Sequence, residues 1–212
     1  MSSRGPLVPR GAHPAAYLYL VGSVQFVVAM AVTQIYYPGY SDASNAISDL
    51  GDPGRSSASL LFNGSLIALG LLGLAATALL KSSLRPRGSS YAGLLLLGIG
   101  LVGAIGAGVF HEPSSYHGKF AETAFVGGGL ALSVLALAML RDTRWDGLRA
   151  FTLLSGLVTL GAIGVLASPL ATSADFGAVE RVVVAPLLLW AVVIGLHLLR
   201  LPVYKGPDPA TS

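Results

Sequence analysis

The sequence contains no cysteine and very little charge. Without cysteine there can be no disulfide, no thiolate metal ligand and no cysteine nucleophile. Charged residues make up 11% of the chain, against about 25% in an ordinary soluble domain. Apolar residues make up 53%, and the mean hydropathy is +0.71. This composition excludes an ordinary soluble domain and predicts a protein of the lipid bilayer.

Long uncharged stretches recur along nearly the whole chain. A helix of about 20 apolar residues crosses a hydrocarbon core about 30 Å thick, and a spanning helix satisfies its own backbone hydrogen bonds. The sequence therefore predicts an all-α, polytopic membrane protein that is a six-helix bundle. The predicted spans are about Ala15 to Tyr37, Ser57 to Leu80, Tyr91 to Phe110, Phe120 to Leu140, Ala150 to Leu170 and Val179 to Leu199.

The two ends of the chain are assigned separately from the bundle. The stretch "LVPRG" at 7–11 is typical of a protease-cleavage linker left from expression. Residues 1–13, including His13, are therefore interpreted as a leader without a functional role. Residues 14–200 are assigned to the transmembrane domain and 201–212 to a tail. The first span shows no separate signal-peptide pattern, and we expect it to stay in the protein.

Basic residues predict how the bundle is oriented. Eight of them lie in two alternate linkers and the C-terminal tail, and three lie in the other linkers, which predicts a multi-pass cell-membrane protein with both termini cytoplasmic. Most acidic residues lie on the opposite side, which indicates function on the outer face. The basic charge suits anionic lipid head groups, and the sequence carries no nucleic-acid-binding signature. The eight are Lys81, Arg85, Arg87, Arg141, Arg144, Arg149, Arg200 and Lys205, and the three are Arg55, Lys119 and Arg181.

The first outer segment, from Tyr36 to Ser57, is long enough to fold over the bundle. Within it "SDASNAISDL" predicts a short helix that lies across the outer end. That helix would direct Asn45, Ser48 and Asp49 towards one another or into the bundle. The alternative is a capped loop helix whose polar residues only face water.

The hairpin "GVFHEPSSYHGKFAE" at 108–122 holds two histidines and two glutamates. Pro113 disfavours helix at Glu112, so His111 and His117 cannot share a helix face as the ligands of an H-E-x-x-H motif do. Glu122 lies deeper in the fourth span, where a carboxylate is expensive and usually faces a partner or a cavity. Alternatively, Glu122 only complements the positive N-terminal end of its helix.

The start of the last span adds an acid and a base, Glu180 and Arg181. Adjacent helical residues point about 100° apart, so one of the two is expected to face inwards. Arg181 could bind a carboxylate or an anionic head group, or its side chain could simply extend to the interface. Asn63, near the outer end of the second span, could reach the same site.

Glycines are concentrated in "GIGLVGAIGAG" at 98–108 and "GLVTLGAIG" at 156–164. Small residues let transmembrane helices approach closely, so helix packing is favoured over a gating hinge.

Together these segments resemble a known family. "NAISDLG", "LFNGSLIALG", "GVFHEPSSYHGKFAETAFVGGG" and "FGAVERVVVAPLLLW" are similar to the bacterial and archaeal membrane proteins of domain of unknown function family 998. His111 stands where the family pattern usually has proline, which counts against it as an obligatory metal ligand. The resemblance implies a shared outer site and names no reaction. It singles out Asn45, Ser48, Asp49, Leu50, Gly51, Asn63, Phe110, Glu112, His117, Glu180 and Arg181.

The first outer loop, the hairpin and the start of the last span together predict a polar pocket that opens outwards. The first functional hypothesis is a membrane-embedded hydrolase that acts on a lipid or lipid-linked substrate in the outer leaflet, with a divalent metal such as zinc. No recognised catalytic spacing is present. The candidate catalytic residues are Ser48, Asp49, His117 and Glu122. The candidate substrate-binding residues are Asn45, Asn63, Glu180 and Arg181. The candidate metal ligands are His117, Glu112, Asp49 and His111.

The second hypothesis is a binding or transport protein that recognises a lipid or small solute without reacting with it. Few polar residues lie in the inner halves of the spans, which counts against a through-pathway; His197 is the main exception. Haem between two histidines is disfavoured, because His197 lies near one end of the bundle and His111 and His117 lie at the other. A purely structural or regulatory membrane protein stays an alternative, and the oligomeric state is left open.

Overall fold

The computed structural model describes residues 11–140 and 142–202, and these form six long helices. The first linker, residues 36–58, is long, and the other linkers are short. Every one of the six is long and apolar enough to cross a membrane, and no strand occurs within the described residues. The predicted all-α, six-helix architecture is confirmed. The helices are α1 Ala12–Ile35, α2 Ser59–Leu80, α3 Gly88–Val109, α4 His117–Ala138, α5 Arg149–Leu166 and α6 Phe176–Arg200, with 3₁₀ turns at Ser48–Gly51, Lys81–Ser83 and Thr143–Trp145.

The helices form a closed ring in chain order. Each helix packs on the next one, α1 packs on α6, and α4 also contacts α6 directly on the inner side of α5. Short linkers make neighbouring helices antiparallel, so the bundle has two distinct ends. We call the end that carries residues 36–58, 110–116 and 167–175 the loop end, and the opposite end, where α1 begins and α6 ends, the terminal end. The predicted orientation would turn the loop end outwards.

The helix bounds differ from the predicted spans by up to one turn. Helix α4 begins at His117 rather than near Phe120, and α5 ends at Leu166 rather than near Leu170. Ala12 and His13, which the sequence interpretation gives to the leader, belong to α1, where Ala12 is fully buried. The rest of the leader up to Arg10, and the tail from Val203 onwards, lie outside the described residues.

Glycine brings the backbones of α3 and α4 together. A Cβ atom on Gly103 would lie 2.5 Å from the backbone nitrogen of Ala124, and one on Gly106 would overlap the edge of the Phe120 ring at Cδ1. The packing interpretation therefore fits the first glycine run. In the second run the interpretation fits Gly156, which packs on α4. It does not fit Gly161 and Gly164, which have open space where a side chain would be.

The terminal end is closed by packed aromatic rings and an ionic cluster. Trp145 is fully buried beside the ring of His197. Asp142 is 2% exposed, and its carboxylate accepts hydrogen bonds from Nε and Nη2 of Arg144 at 3.0 and 2.7 Å. Nε of Arg85 lies 3.4 Å from the same carboxylate. The Arg144 hydrogen bonds hold the pKa of Asp142 below its usual value.

The first outer segment does not form the regular helix that its pattern predicts. It is a series of turns that ends in the 3₁₀ turn Ser48–Gly51. The reason lies in its carbonyl groups: those of Asp42 and Asn45 accept hydrogen bonds from Arg181, and that of Ala43 accepts one from the Ala178 N–H. Tertiary contacts with α6 thus occupy acceptors that a helix would need. Ile47 and Leu50 still turn inwards, and pack with Phe26 and Phe62.

Candidate functional site

An apolar cavity lies at the centre of the ring. Its volume is about 150 Å³, and its walls come from the 3₁₀ turn segment and from every helix except α5. Leu, Phe, Val, Ala and Gly side chains dominate the wall, and we call it the central cavity. Three polar side chains, Ser48, His117 and Glu180, line it at the loop end. Tyr19 and Trp190, deeper in the cavity, direct their polar atoms to Thr77 and Thr152.

Glu180 is a carboxylate within the apolar bundle. It sits in the second turn of α6, and the residue is 6% exposed. One carboxylate oxygen accepts a hydrogen bond from the backbone N–H of Ile47. Among the described residues no arginine, lysine or histidine forms a salt bridge with it. Isolated carboxylates are costly to bury, so this side chain is the strongest indication of a functional site.

His117 begins α4 and is 5% exposed. Its Nδ1 lies 3.1 Å from the carbonyl oxygen of Ala107 and 3.2 Å from that of Phe110. Carbonyl oxygens only accept, so Nδ1 carries a proton. In the neutral ring Nε2 is then the nitrogen with a free lone pair. Nε2 lies 3.9 Å from a carboxylate oxygen of Glu112. The fixed tautomer makes His117 suited to accept a hydrogen bond or a proton through Nε2.

Arg181 points away from Glu180 and binds the first outer segment. Its guanidinium donates to the carbonyls of Asp42 and Asn45 at 2.8 and 3.2 Å, to the hydroxyl of Tyr40 at 2.7 Å, and to the Asp42 carboxylate. Burial raises the pKa of Tyr40 to about 12, so its hydroxyl stays protonated and donates to the Ala46 carbonyl. Arg181 therefore fixes the segment that covers the loop end.

The loop end also has a polar rim outside the cavity. Asp49 accepts a hydrogen bond from Arg55 at 2.8 Å and one from the Asn45 amide at 3.2 Å, and the Asp49 carboxylate raises the pKa of Arg55. Beneath the rim, the buried Asn63 amide donates to the Gly51 carbonyl at 2.8 Å. A Cβ on Gly51 would lie 2.3 Å from the Asn63 oxygen, so glycine is required for this close approach.

A family model described as "Protein of unknown function (DUF998)" matches residues 20–197, which is most of the chain. This protein belongs to the DUF998 family. No curated protein and no solved structure matches it. Family membership thus confirms the resemblance drawn from the sequence, and function has to be argued from the site itself.

Only part of the candidate catalytic set lies together in this DUF998 protein. Ser48 and His117 line the central cavity, and Glu180, a candidate for substrate binding, lines it with them. Asp49 lies on the rim and pairs with Arg55. Glu122 is exposed on the outside of α4 and does not line the cavity. Its depth in the sequence suggested an inward carboxylate, but its position around the helix directs it outwards.

The candidate substrate-binding residues are similarly divided. Asn45 and Arg181 hold the first outer segment in place, and Asn63 holds the 3₁₀ turn, so their polar atoms are occupied by contacts within the protein. Glu180 alone of these four lines the cavity. The sequence could place all four near the loop end, but could not distinguish groups that build the site from groups that face it.

The candidate metal ligands do not come together. Within residues 11–140 and 142–202, no group of three or more histidine, aspartate or glutamate side chains could hold a metal ion. His117 and Glu112 approach each other, whereas Asp49 binds Arg55 and the His111 ring lies against the carbonyl of Glu112. As the sequence indicated, Pro113 separates the two histidines, and their rings have different neighbours: His111 lies against the Glu112 carbonyl and His117 against that of Ala107.

The sequence predicted a polar pocket at this end of the bundle, but not that the cavity is mostly apolar or that Ser23 lines it. Ser23 lies in α1, lines the cavity, and has a buried hydroxyl without a hydrogen-bond partner in the described structure. A lone serine in an apolar span is usually part of helix packing. No signal in the sequence distinguishes it, because the cavity exists only when five helices and the 3₁₀ turn segment surround it.

Proposed function

We propose that this protein binds a lipid or another amphiphile, with a hydrocarbon chain in the central cavity and the head group at the loop end. The observation that supports this most directly is the distribution of polarity in the cavity. Apart from the Ser23 hydroxyl of α1, its wall is apolar along its length, and Ser48, His117 and Glu180 lie together at one end. An amphiphile has the same distribution, because its chain gains by leaving water while its head needs hydrogen bonds.

The cavity is long and narrow. Glu180 and Trp190 are ten residues apart on α6, so the cavity extends about 15 Å at 1.5 Å per residue, which is about half of a hydrocarbon core of about 30 Å. Its volume of about 150 Å³ is that of a cavity that takes a benzene-sized group, so it holds part of one hydrocarbon chain and has no space for two chains side by side. With the predicted orientation, the ligand would come from the outer leaflet.

Blocking the cavity tests this proposal. Ala104 of α3 lines the cavity, whereas Val102 of the same helix is 53% exposed on its outer side. The protein is reconstituted in phosphatidylcholine vesicles with a dodecyl amphiphile that carries a photoactivatable group at the chain end. We expect labelled peptides from α4 and α6 in the wild type and in Val102→Phe, and loss of that labelling in Ala104→Phe.

Both variants are first checked for a single symmetric peak in size-exclusion chromatography and for an unchanged melting temperature. Labelling of the inner wall that survives Ala104→Phe would contradict the proposal. Labelling confined to the lipid-facing side of the helices would contradict it as well.

A second candidate function, ester hydrolysis, is supported by the tautomer of His117. Nε2 has a free lone pair at the same cavity end as the Ser48 hydroxyl. In this reaction Ser48 Oγ would attack the ester carbonyl carbon while Nε2 takes the hydroxyl proton and passes it to the departing alcohol. Water would then hydrolyse the acyl group from Ser48 and restore the enzyme.

The Ser48→Ala variant distinguishes hydrolysis from binding. Ser48→Ala should abolish release of methylumbelliferone from its dodecanoate ester while labelling of the cavity persists. Ser44→Ala changes an exposed serine of the same segment and serves as the control. Equal turnover by the wild type and Ser48→Ala would eliminate Ser48 as a nucleophile and leave the binding proposal in place.

A further inference from the structure

The polar groups at the loop end of the central cavity mostly accept hydrogen bonds. Glu180 offers carboxylate oxygens, of which one accepts from Ile47, and the tautomer of His117 that carries its proton on Nδ1 offers the Nε2 lone pair. Glu112 adds a second carboxylate 3.9 Å from Nε2. Ser48 is the one group of the three lining side chains that can also donate. A ligand head that fits here must supply donors.

The positive charges of the loop end are engaged elsewhere. Arg181 binds Asp42, Tyr40 and the backbone of the first outer segment. Arg55 binds Asp49 and Asp52 on the rim. Lys119 is exposed and lies over the Tyr116 ring. None of these cations forms a salt bridge with Glu180 in the described part of the chain, so a negative charge on this carboxylate would have to be balanced by a ligand.

From this arrangement we infer that the cavity selects an amphiphile whose head group is an ammonium, with Glu180 as its counter-ion and His117 Nε2 as a second acceptor. This inference rests on the proposed binding function and assigns the head-group class to it. An ammonium supplies both the missing charge and the donors. A carboxylate or phosphate head would instead face Glu180, and like charges in a poorly solvated site repel each other strongly. An alcohol would satisfy the acceptors without balancing the charge.

The geometry also explains why the site is selective. Glu180 is 6% exposed and is held by the Ile47 N–H, so it cannot turn towards bulk water to avoid an unsuitable head. Arg181 cannot neutralise it without leaving the first outer segment. Selectivity thus depends on a fixed, poorly solvated carboxylate, which is the setting in which charge pairs contribute most.

The test compares three head groups on one chain. Photoactivatable analogues of dodecylamine, dodecanol and dodecanoate are added to the reconstituted protein at equal measured membrane concentrations, and labelling of the cavity wall is quantified. In the wild type we expect the amine to label at least about tenfold more strongly than the carboxylate, with the alcohol between them. In Glu180→Gln, which keeps an acceptor for Ile47, the preference should fall to about threefold or less.

Glu122→Gln is the matched control, because it removes the same charge from an exposed site at the same end of the bundle. It should keep the wild-type preference. Equal labelling by the amine and the carboxylate in the wild type would overturn the ammonium inference and leave the binding proposal intact. Absence of cavity labelling by all three would overturn both. The wild-type comparison decides the inference even if Glu180→Gln does not fold.

Discussion

Each end of the bundle buries one carboxylate, and the two are treated very differently. At the terminal end, Asp142 is bound by Arg144 and lies beside Arg85, so its charge and its acceptors are satisfied. At the loop end, Glu180 has one backbone N–H and no cation within the described residues. The Asp142 ion pairs stabilise the folded protein. Glu180 has no cationic partner, and a ligand in the adjacent cavity could provide one.

The largest expected effect comes from removing the satisfied carboxylate. Asp142→Asn leaves Arg144 partly buried without its partner, and breaking a buried ion pair in this way costs about 3 kcal/mol of unfolding free energy. Glu180→Gln should change it by less than about 1 kcal/mol, because no cation loses a partner and the Ile47 hydrogen bond can persist. Unfolding of the two variants in SDS titrations measures the contrast. A larger loss for Glu180→Gln would mean that both carboxylates are structural.

The pH dependence of stability tests the role of Asp142 separately. Because the folded protein lowers the pKa of Asp142, its stabilising effect is fully present above the unfolded value of about 3.9 and is lost as pH falls through the folded value. Wild-type stability should therefore decrease steeply in that acidic window. Asp142→Asn should show a shallower decrease there. Parallel curves for the two proteins would contradict the role assigned to this ion pair.

A smaller loss of stability is expected from a larger residue at a glycine in the α3–α4 contact. Gly103→Ala places a methyl group 2.5 Å from the α4 backbone, and such overpacking costs about 2 kcal/mol. Gly161→Ala fills open space on α5 and should stabilise its helix by up to about 1 kcal/mol. Melting temperatures of the two variants in the same detergent report the difference. If both changes are neutral, the α3–α4 contact is looser than the structure indicates.

The architecture could be predicted from the sequence because it depends on local properties. Hydropathy and length define the six spans, and short linkers make neighbouring helices antiparallel. The site depends on rotation around helix axes, which composition does not determine. Glu122 and Glu180 both lie in the second turn of a span, yet Glu122 is exposed and Glu180 lines the cavity. The predicted helix in the first outer segment does not form for a related reason. Arg181 and Ala178, which are distant in sequence, donate hydrogen bonds to carbonyl groups that this helix would have used for its own backbone hydrogen bonds.

The smallest effect should be a local one, in the segment that covers the loop end. Arg181→Gln removes the guanidinium from the carbonyls of Asp42 and Asn45, so amide hydrogen exchange in residues 40–50 should rise by about tenfold while the melting temperature changes little. Arg55→Gln, which changes an exposed arginine of the rim, should raise exchange much less. Loss of cavity labelling in Arg181→Gln with the helices still protected would show that the ordered segment holds Ser48 and Ile47 at the cavity. Unchanged exchange would instead return Arg181 to the role that its sequence position first suggested, contact with a ligand head group.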